Sequence, residues 1–217
     1  MYKRQALAAT WNLANGRVSL PDTFSCGAEQ LSALEFVGAG GSGAVFAAEA
    51  AGSRATRVAV KVSWAGPAAL GVQNEADVYV RLQDASIRSV PKLLAKCDYS
   101  VLASPPASGI MDERVVLILD PFVESAASNF EGLNPSRADR AASQLGVAVV
   151  AVLSAGIAST DVQVLIDPPT GELRLIDMSE ATVLTSPPSF VQLAIARGFL
   201  AEAVAIVPSQ QRLAFLR

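Results

Sequence analysis

The chain has 217 residues, of which 51% are hydrophobic and 17% are charged, and its net charge is −3. This length and composition predict one folded domain or two small lobes, and they exclude a disordered polar segment. The acidic balance also excludes the basic stripe with which nucleic-acid-binding proteins neutralise phosphates.

Two residue types that dominate enzyme sites are absent or rare. Histidine does not occur, which excludes a histidine general base and histidine metal ligands. Cys26 and Cys97 are the only cysteines and do not form a Cys-x-x-Cys pair, so we expect neither a disulfide framework nor a cysteine zinc site. Carboxylates, lysines and backbone amides remain as candidate catalytic groups.

No segment predicts a membrane span. The longest apolar run, residues 145–158, is interrupted by Ser154 and is shorter than the roughly 20 residues that a spanning helix needs. We therefore interpret it as a buried helix. No apolar signal core follows Lys3 and Arg4, so a cytoplasmic location is expected.

The first half of the chain is rich in predicted strands. Residues 1–30 contain the turn residues Asn15-Gly16 and Pro21-Asp22, and we interpret them as a loose N-terminal extension. Two strand-like runs within residues 34–62 surround the glycine-rich segment 38–43, which predicts a hairpin. Residues 72–84 have helical spacing of apolar positions, and residues 91–94 and 115–119 predict further strands.

The second half is predicted to be mainly helical. Asn134-Pro135 is a helix start, and the helix is expected to continue to residue 158. Residues 164–177 predict a short hairpin with a turn at 168–171, and one or two helices are expected after Pro187-Pro188. Strands followed by helices indicate an α+β fold in two lobes, here residues 31–123 and 124–217.

Residues 38–45 fit the pattern G-x-G-x-x-G-x-V, in which glycines allow backbone amides to approach phosphate oxygens. A dinucleotide-binding motif would need a helix directly afterwards, but Ala44, Val45 and Phe46 continue as a strand. A P-loop would need Gly-Lys-Ser/Thr, which is absent. A glycine hairpin without a ligand remains the alternative.

Lys61 lies among apolar residues of a predicted strand, about eighteen residues after Gly43. A buried ammonium group needs a partner, because an unpaired one is strongly disfavoured. The alternative is a lysine that points outward from an edge strand.

Together, the glycine segment and the Val-Ala-Val-Lys strand ending at Lys61 resemble the protein kinase superfamily. The resemblance implies a two-lobed kinase-like fold with an antiparallel-sheet N-lobe and a truncated, mainly helical C-lobe. It also implies that ATP binds with Mg²⁺, and that Lys61 holds the phosphates and pairs with Glu75. The implied nucleotide-binding residues are Gly38, Gly40, Gly41, Gly43, Val45, Lys61, Glu75 and, through the backbone of a hinge segment, Asp120 and Phe122.

In the second half, the Ile-Asp-Met-Ser segment resembles the magnesium motif of the family, which makes Asp177 the implied metal ligand. The catalytic loop is short. Aligning Asp161 with the catalytic aspartate leaves no asparagine, whereas aligning Gln163 with the metal-binding asparagine leaves the aspartate position empty. Asp161 is thus the implied catalytic carboxylate and Gln163 a second metal ligand, and an ordinary turn is the alternative for Asp161.

Three functions follow from the resemblance. The first is a minimal phosphotransferase that moves the γ-phosphate of ATP to a hydroxyl acceptor on an unknown protein or small molecule. The second is a pseudokinase that binds nucleotide or a partner without chemistry, which the shortened loop and short C-lobe favour. The third is a relative of small-molecule kinases, which also lack the Ala-Pro-Glu segment.

Overall fold

The structure, a computed structural model, describes residues 8–13, 16–21, 23–51, 57–102, 111–124 and 126–216. The fold of this part is α+β. The strands are β1 (Ala8–Leu13), β2 (Gly16–Pro21), β3 (Thr23–Cys26), β4 (Glu29–Ala39), β5 (Gly43–Ala50), β6 (Arg57–Ser63), β7 (Lys92–Leu102), β8 (Met111–Asp120), β9 (Ile157–Ser159), β10 (Gln163–Asp167), β11 (Glu172–Ile176) and β12 (Ala181–Val183). The α-helices are α1 (Pro67–Asp84), α2 (Pro135–Ser154), α3 (Phe190–Ile206) and α4 (Arg212–Phe215).

The chain divides into two compact units. Unit 1 comprises Met1–Ala76 and Leu93–Phe122, and unit 2 comprises Asp77–Lys92 and Val123–Arg217. The strands and helices confirm the α+β class predicted from the sequence.

A curled six-stranded sheet with the order β3-β4-β5-β6-β8-β7 is the body of unit 1. Strands β4, β5, β6 and β8 pair antiparallel, so side chains opposite each other share one face. One face forms the hydrophobic core, in which Phe46, Val60 and Ile118 lie in a row and are fully buried. The other face carries Val45, Lys61 and Leu117 in a row.

A disulfide between Cys26 and Cys97 joins β3 and β7, the two edge strands of this sheet. The rings of Phe24 and Tyr99 meet edge to face beside it, with centroids 5.4 Å apart. Burial raises the pKa of Tyr99 above its ordinary value, while the positive charge of Arg114 acts in the opposite direction. We expected no disulfide framework from the sequence, whereas this bridge joins the two cysteines of the chain.

The segment that we interpreted as an N-terminal extension contains three strands. Strands β1 and β2 form an antiparallel pair from Ala8↔Pro21 to Leu13↔Gly16. Strand β3 pairs with β4, from Thr23↔Ser32 to Cys26↔Glu29, and so belongs to the main sheet.

Helix α2 forms the centre of unit 2. It begins where the sequence predicts, because the Asn134 side chain caps it by accepting a hydrogen bond of 3.0 Å from the Arg137 amide. Its buried positions are mostly alanine, valine and leucine. Gly146 lets α4 pack closely, since a Cβ there would lie 2.0 Å from the carbonyl oxygen of Phe215.

Two short antiparallel pairs complete unit 2. The predicted hairpin is confirmed as β10 and β11, which pair from Gln163↔Ile176 to Asp167↔Glu172. Strand β9 pairs with β12, with Ser159 opposite Ala181. The helices expected after Pro187-Pro188 are α3 and α4. Among the described helices, none is by itself long and apolar enough to cross a bilayer, although α3 and the bent segment after it pass that test together on length and composition.

Candidate functional site

A buried ion pair lies on the non-core face of the sheet in unit 1. Lys61 Nζ donates a hydrogen bond of 2.7 Å to Glu75 Oε2, and the two side chains are 8% and 1% exposed. Lys61 is central because β6 lies between β5 and β8, and Glu75 comes from α1. The pair expected from the sequence is therefore present, and its role in nucleotide binding stays a prediction.

The glycine-rich segment forms the turn between β4 and β5, as predicted. The Gly40 amide donates to the Gly43 carbonyl at 2.9 Å, which closes the turn. Gly43 is required by packing, because a Cβ there would lie 2.2 Å from the carbonyl oxygen of Val62.

Gly38, Gly40 and Gly41 differ from Gly43. A Cβ on any of them would meet no atom within 4 Å, and none has the positive φ that favours glycine. The fold of unit 1 therefore does not require glycine at these positions. Open space beside the backbone is what a ligand needs if main-chain amides are to contact its phosphates.

Trp64 fixes the turn, and the sequence analysis did not single it out. Its indole Nε1 donates to the Gly40 carbonyl at 2.8 Å, and its own amide donates to the Ser42 carbonyl at 3.1 Å. The indole is nearly buried, so the glycine turn is held from one side by a rigid aromatic group. The only indication in the sequence was a tryptophan three residues after Lys61.

Small apolar side chains continue the row of Lys61 along the same face. Val45 is opposite Lys61, and Ala47 is opposite Ala59, which is opposite Leu119. Val45 and Ala59 are half-buried, so this strip is not fully covered within the described residues. A flat apolar strip beside a cation suits an aromatic base attached to an anionic group.

The predicted hinge residues follow this strip. Asp120 ends β8, and Phe122 is the last residue of unit 1. The guanidinium carbon of Arg57 lies 5.1 Å from the centroid of the Phe122 ring, a cation–π distance. Arg57 also forms an ion pair of 2.7 Å with Glu35. Sequence reasoning missed these two contacts, because residues 22 and 65 positions apart give no local pattern.

In unit 2, the predicted catalytic and metal-binding residues of the shortened loop contact each other. Gln163 Nε2 donates to Asp161 Oδ2 at 2.5 Å. The Asp161 amide donates to Ser159 Oγ at 3.2 Å, and Ser159 itself is fully buried in β9. Asp161 is half-buried and Gln163 is exposed, so this arrangement involves little desolvation.

Asp177 directly follows β11 and adopts a left-handed conformation with φ 53° and ψ 67°. Such a conformation is uncommon for residues other than glycine and is a reason to suspect function. Ser179 Oγ donates to Asp177 Oδ1 at 2.8 Å. Gln163 pairs with Ile176, the residue before Asp177, so the hairpin brings the two predicted metal ligands to one end.

The donor set fits magnesium in part. The described residues contain no cluster of three or more histidine, cysteine, aspartate or glutamate side chains that could hold a metal ion. Mg²⁺ bound with a nucleotide usually takes one or two protein carboxylates and completes its shell with phosphate oxygens and water. The Asp177 carboxylate and the Gln163 amide oxygen are consistent with that pattern.

No protein-family model matches the sequence. No curated protein matches it either. The resemblance to protein kinases therefore depends on the residues of this chain alone.

Proposed function

We propose that the chain is a kinase-like domain that binds ATP with Mg²⁺ and transfers the γ-phosphate to a hydroxyl acceptor. The observation that carries the proposal is the buried Lys61–Glu75 ion pair. The same sheet carries the glycine turn, in which the fold does not require glycine at Gly38, Gly40 and Gly41. A buried pair of this kind is often no more stabilising than apolar residues of the same size. Its presence therefore favours a role in binding an anion.

In this proposal, the residues of unit 1 bind and orient the nucleotide. The Lys61 ammonium group contacts the phosphates, while Glu75 holds that group in place. The open space beside Gly38, Gly40 and Gly41 lets phosphate oxygens approach the turn, where the Gly41 amide is the proposed donor, because the Gly40 amide already bonds to the Gly43 carbonyl. Trp64 keeps the turn in position. The strip with Val45 covers one face of the base, and backbone groups of Asp120 and Phe122 recognise its edge.

Unit 2 supplies the carboxylates. Asp177 and Gln163 are the proposed ligands of Mg²⁺, which neutralises the charge on the phosphates when it is bound. Asp161 accepts a hydrogen bond from the acceptor hydroxyl and orients it for attack. Gln163 contacts Asp161 through Nε2, so its amide oxygen remains the proposed metal ligand.

A second candidate is a nucleotide-binding domain without phosphoryl transfer. The contact of 2.5 Å between Gln163 and Asp161 favours it, because each predicted catalytic group already has a partner in the other. In this case unit 1 has the same role, and the carboxylates of unit 2 are structural.

Isothermal titration with Mg²⁺-ATP tests the part that both candidates share. We expect the wild-type chain to bind and the double variant Lys61→Met/Glu75→Leu to show at least a tenfold weaker affinity, since it loses a charge-assisted contact worth about 1.5–3 kcal/mol. Lys96→Met removes a lysine from an exposed position of the same unit and serves as the matched control. Equal affinity of the double variant and the wild type would contradict both candidates.

Turnover separates the two candidates. We expect the wild-type chain to release ADP from Mg²⁺-ATP and Asp177→Asn to be at the background rate while it still binds ATP. If the wild type binds ATP and shows no more ADP release than Asp177→Asn, the domain is a binding module and the transferase proposal is wrong.

A further inference from the structure

Unit 2 contains a groove of about 920 Å³ along helix α2. The floor is one face of the helix, because the lining positions Arg140, Ser143, Val147, Ala151 and Ser154 recur every three or four residues. The fifteen residue steps from 140 to 155 rise by about 22 Å. The groove is therefore long.

The wall of the groove opposite α2 is formed by residues 85–89 and by the start of β11. Several hydrogen bonds hold the backbone of the segment 85–89 in place. Leu175 donates its amide to the Ser89 carbonyl at 2.8 Å, and Arg174 Nη1 donates to the Arg88 carbonyl at 3.0 Å. The Ile87 and Ser86 amides close the end of α1 by donating to the carbonyls of Leu82 and Gln83, at 2.9 and 2.8 Å. The backbone of this wall is therefore preformed.

Two arginine side chains give the groove a positive charge. Arg88 and Arg140 both line it and are exposed, and neither guanidinium has a hydrogen-bond or ion-pair partner among the described residues. Glu172, the acidic residue of the lining, is already paired with Arg174 at 2.7 Å. The lining therefore carries two arginines and one already paired glutamate, which makes it complementary to an anionic occupant.

We propose that this groove binds an extended acidic segment of a partner protein. A length of about 22 Å accommodates roughly six or seven residues of extended chain. Carboxylates of such a segment would accept hydrogen bonds from Arg88 and Arg140, whose planar groups suit carboxylates. Val147, 63% exposed on the floor, offers an apolar contact, and the small side chains of Ala151 and Ser154 leave room for a backbone.

The groove is separate from the carboxylates of the proposed function. Glu172 is the first residue of β11 and Asp177 follows its last, so the two lie about 17 Å apart along the strand. The inference therefore does not depend on phosphoryl transfer, and binding at the groove does not require ATP.

Fluorescence anisotropy with labelled peptide pools tests the proposal. One pool of peptides about seven residues long carries aspartate and glutamate around a central valine, and a matched pool carries asparagine and glutamine at the same positions. We expect the acidic pool to bind the wild-type chain at least tenfold more tightly than the amide pool. The double variant Arg88→Ser/Arg140→Ser should abolish that preference, because each exposed charge contributes a fewfold effect on affinity.

Arg197→Ser is the matched control, since it removes an exposed arginine of α3 that does not line the groove. It should bind the acidic pool like the wild type. Both groove arginines are exposed, so their variants should fold, and circular dichroism checks this. Equal binding of the two pools, or unchanged binding by the double variant, would overturn the proposal. Displacement of the peptides by inorganic pyrophosphate at equal concentration would also overturn it, in favour of a small-anion site.

Discussion

The two sets of predicted site residues differ in how deeply they are buried. In unit 1, Lys61 and Glu75 are buried charges that contact each other at 2.7 Å. In unit 2, Asp161 and Gln163 form a similarly short contact, but they lie at or near the surface. Removing two charges from water is unfavourable by several kcal/mol each, whereas a surface contact involves little desolvation. A short contact therefore carries a strong functional argument in unit 1 and a weak one in unit 2.

This difference in burial predicts that substitutions affect the two sets of residues unequally. Removing either partner of a buried ion pair leaves an unpaired buried charge and destabilises the protein. We therefore expect both side chains to keep one geometry. A surface carboxylate can exchange one partner for another, which is compatible with catalysis and equally with an ordinary turn. Stability measurements on the two sets of residues test this comparison.

The largest effect is expected for Lys61→Met. The variant leaves Glu75 buried without its cation, and breaking a buried pair in this way costs about 3–5 kcal/mol of the free energy of unfolding. The double variant Lys61→Met/Glu75→Leu removes both charges and should regain most of that loss. Urea unfolding followed by circular dichroism measures both quantities.

The matched comparison for this test is Lys96→Met, which also removes an amine from unit 1. Lys96 is exposed and contacts Gln73 at 2.7 Å, so we expect a change of less than about 1 kcal/mol. If Lys61→Met were no more destabilising than Lys96→Met, the argument from burial would not hold.

The fold of the site in unit 1 was largely predictable because its signals are local. The β4–β5 hairpin follows from a glycine segment between strand-like runs, and the position of Lys61 follows from the apolar residues around it. The pairing with Glu75 was an implication of the family resemblance. The helix start at Asn134-Pro135 was also predictable, since capping depends on residues three positions apart.

Contacts between distant segments were not predictable. The disulfide joins Cys26 and Cys97 across 71 positions, and two isolated cysteines carry no information about which strands form the edges of a sheet. The contact between Trp64 and the glycine turn depends on the register of β5 and β6, in which Ser63 lies opposite Gly43. The left-handed conformation of Asp177 was not predicted, although aspartate adopts that region more often than most residues other than glycine.

A smaller effect separates the glycines of the turn from one another. Gly43→Ala places a methyl group against the Val62 carbonyl and should cost about 1–3 kcal/mol, as expected for overpacking. Gly41→Ala meets open space and should change the free energy of unfolding by less than about 0.5 kcal/mol. Urea unfolding of both variants measures this difference.

Nucleotide binding extends the glycine test. If main-chain amides near Gly41 approach the phosphates, Gly41→Ala should weaken Mg²⁺-ATP binding although it leaves stability unchanged. Calorimetric titration of the wild type and the variant checks this. Unchanged affinity would mean that the open space beside the turn is not used by the ligand.

The smallest effect on stability is expected for Asp161→Asn in unit 2. Asparagine keeps an oxygen that can accept the hydrogen bond from Gln163, and the site is only half-buried, so the free energy of unfolding should change by less than about 0.5 kcal/mol. The charge that would orient an acceptor hydroxyl is nevertheless lost, so any ADP release should fall by at least about a hundredfold. A stability loss above about 1 kcal/mol would instead show that the fold depends on Asp161, and the contrast between the two units would then disappear.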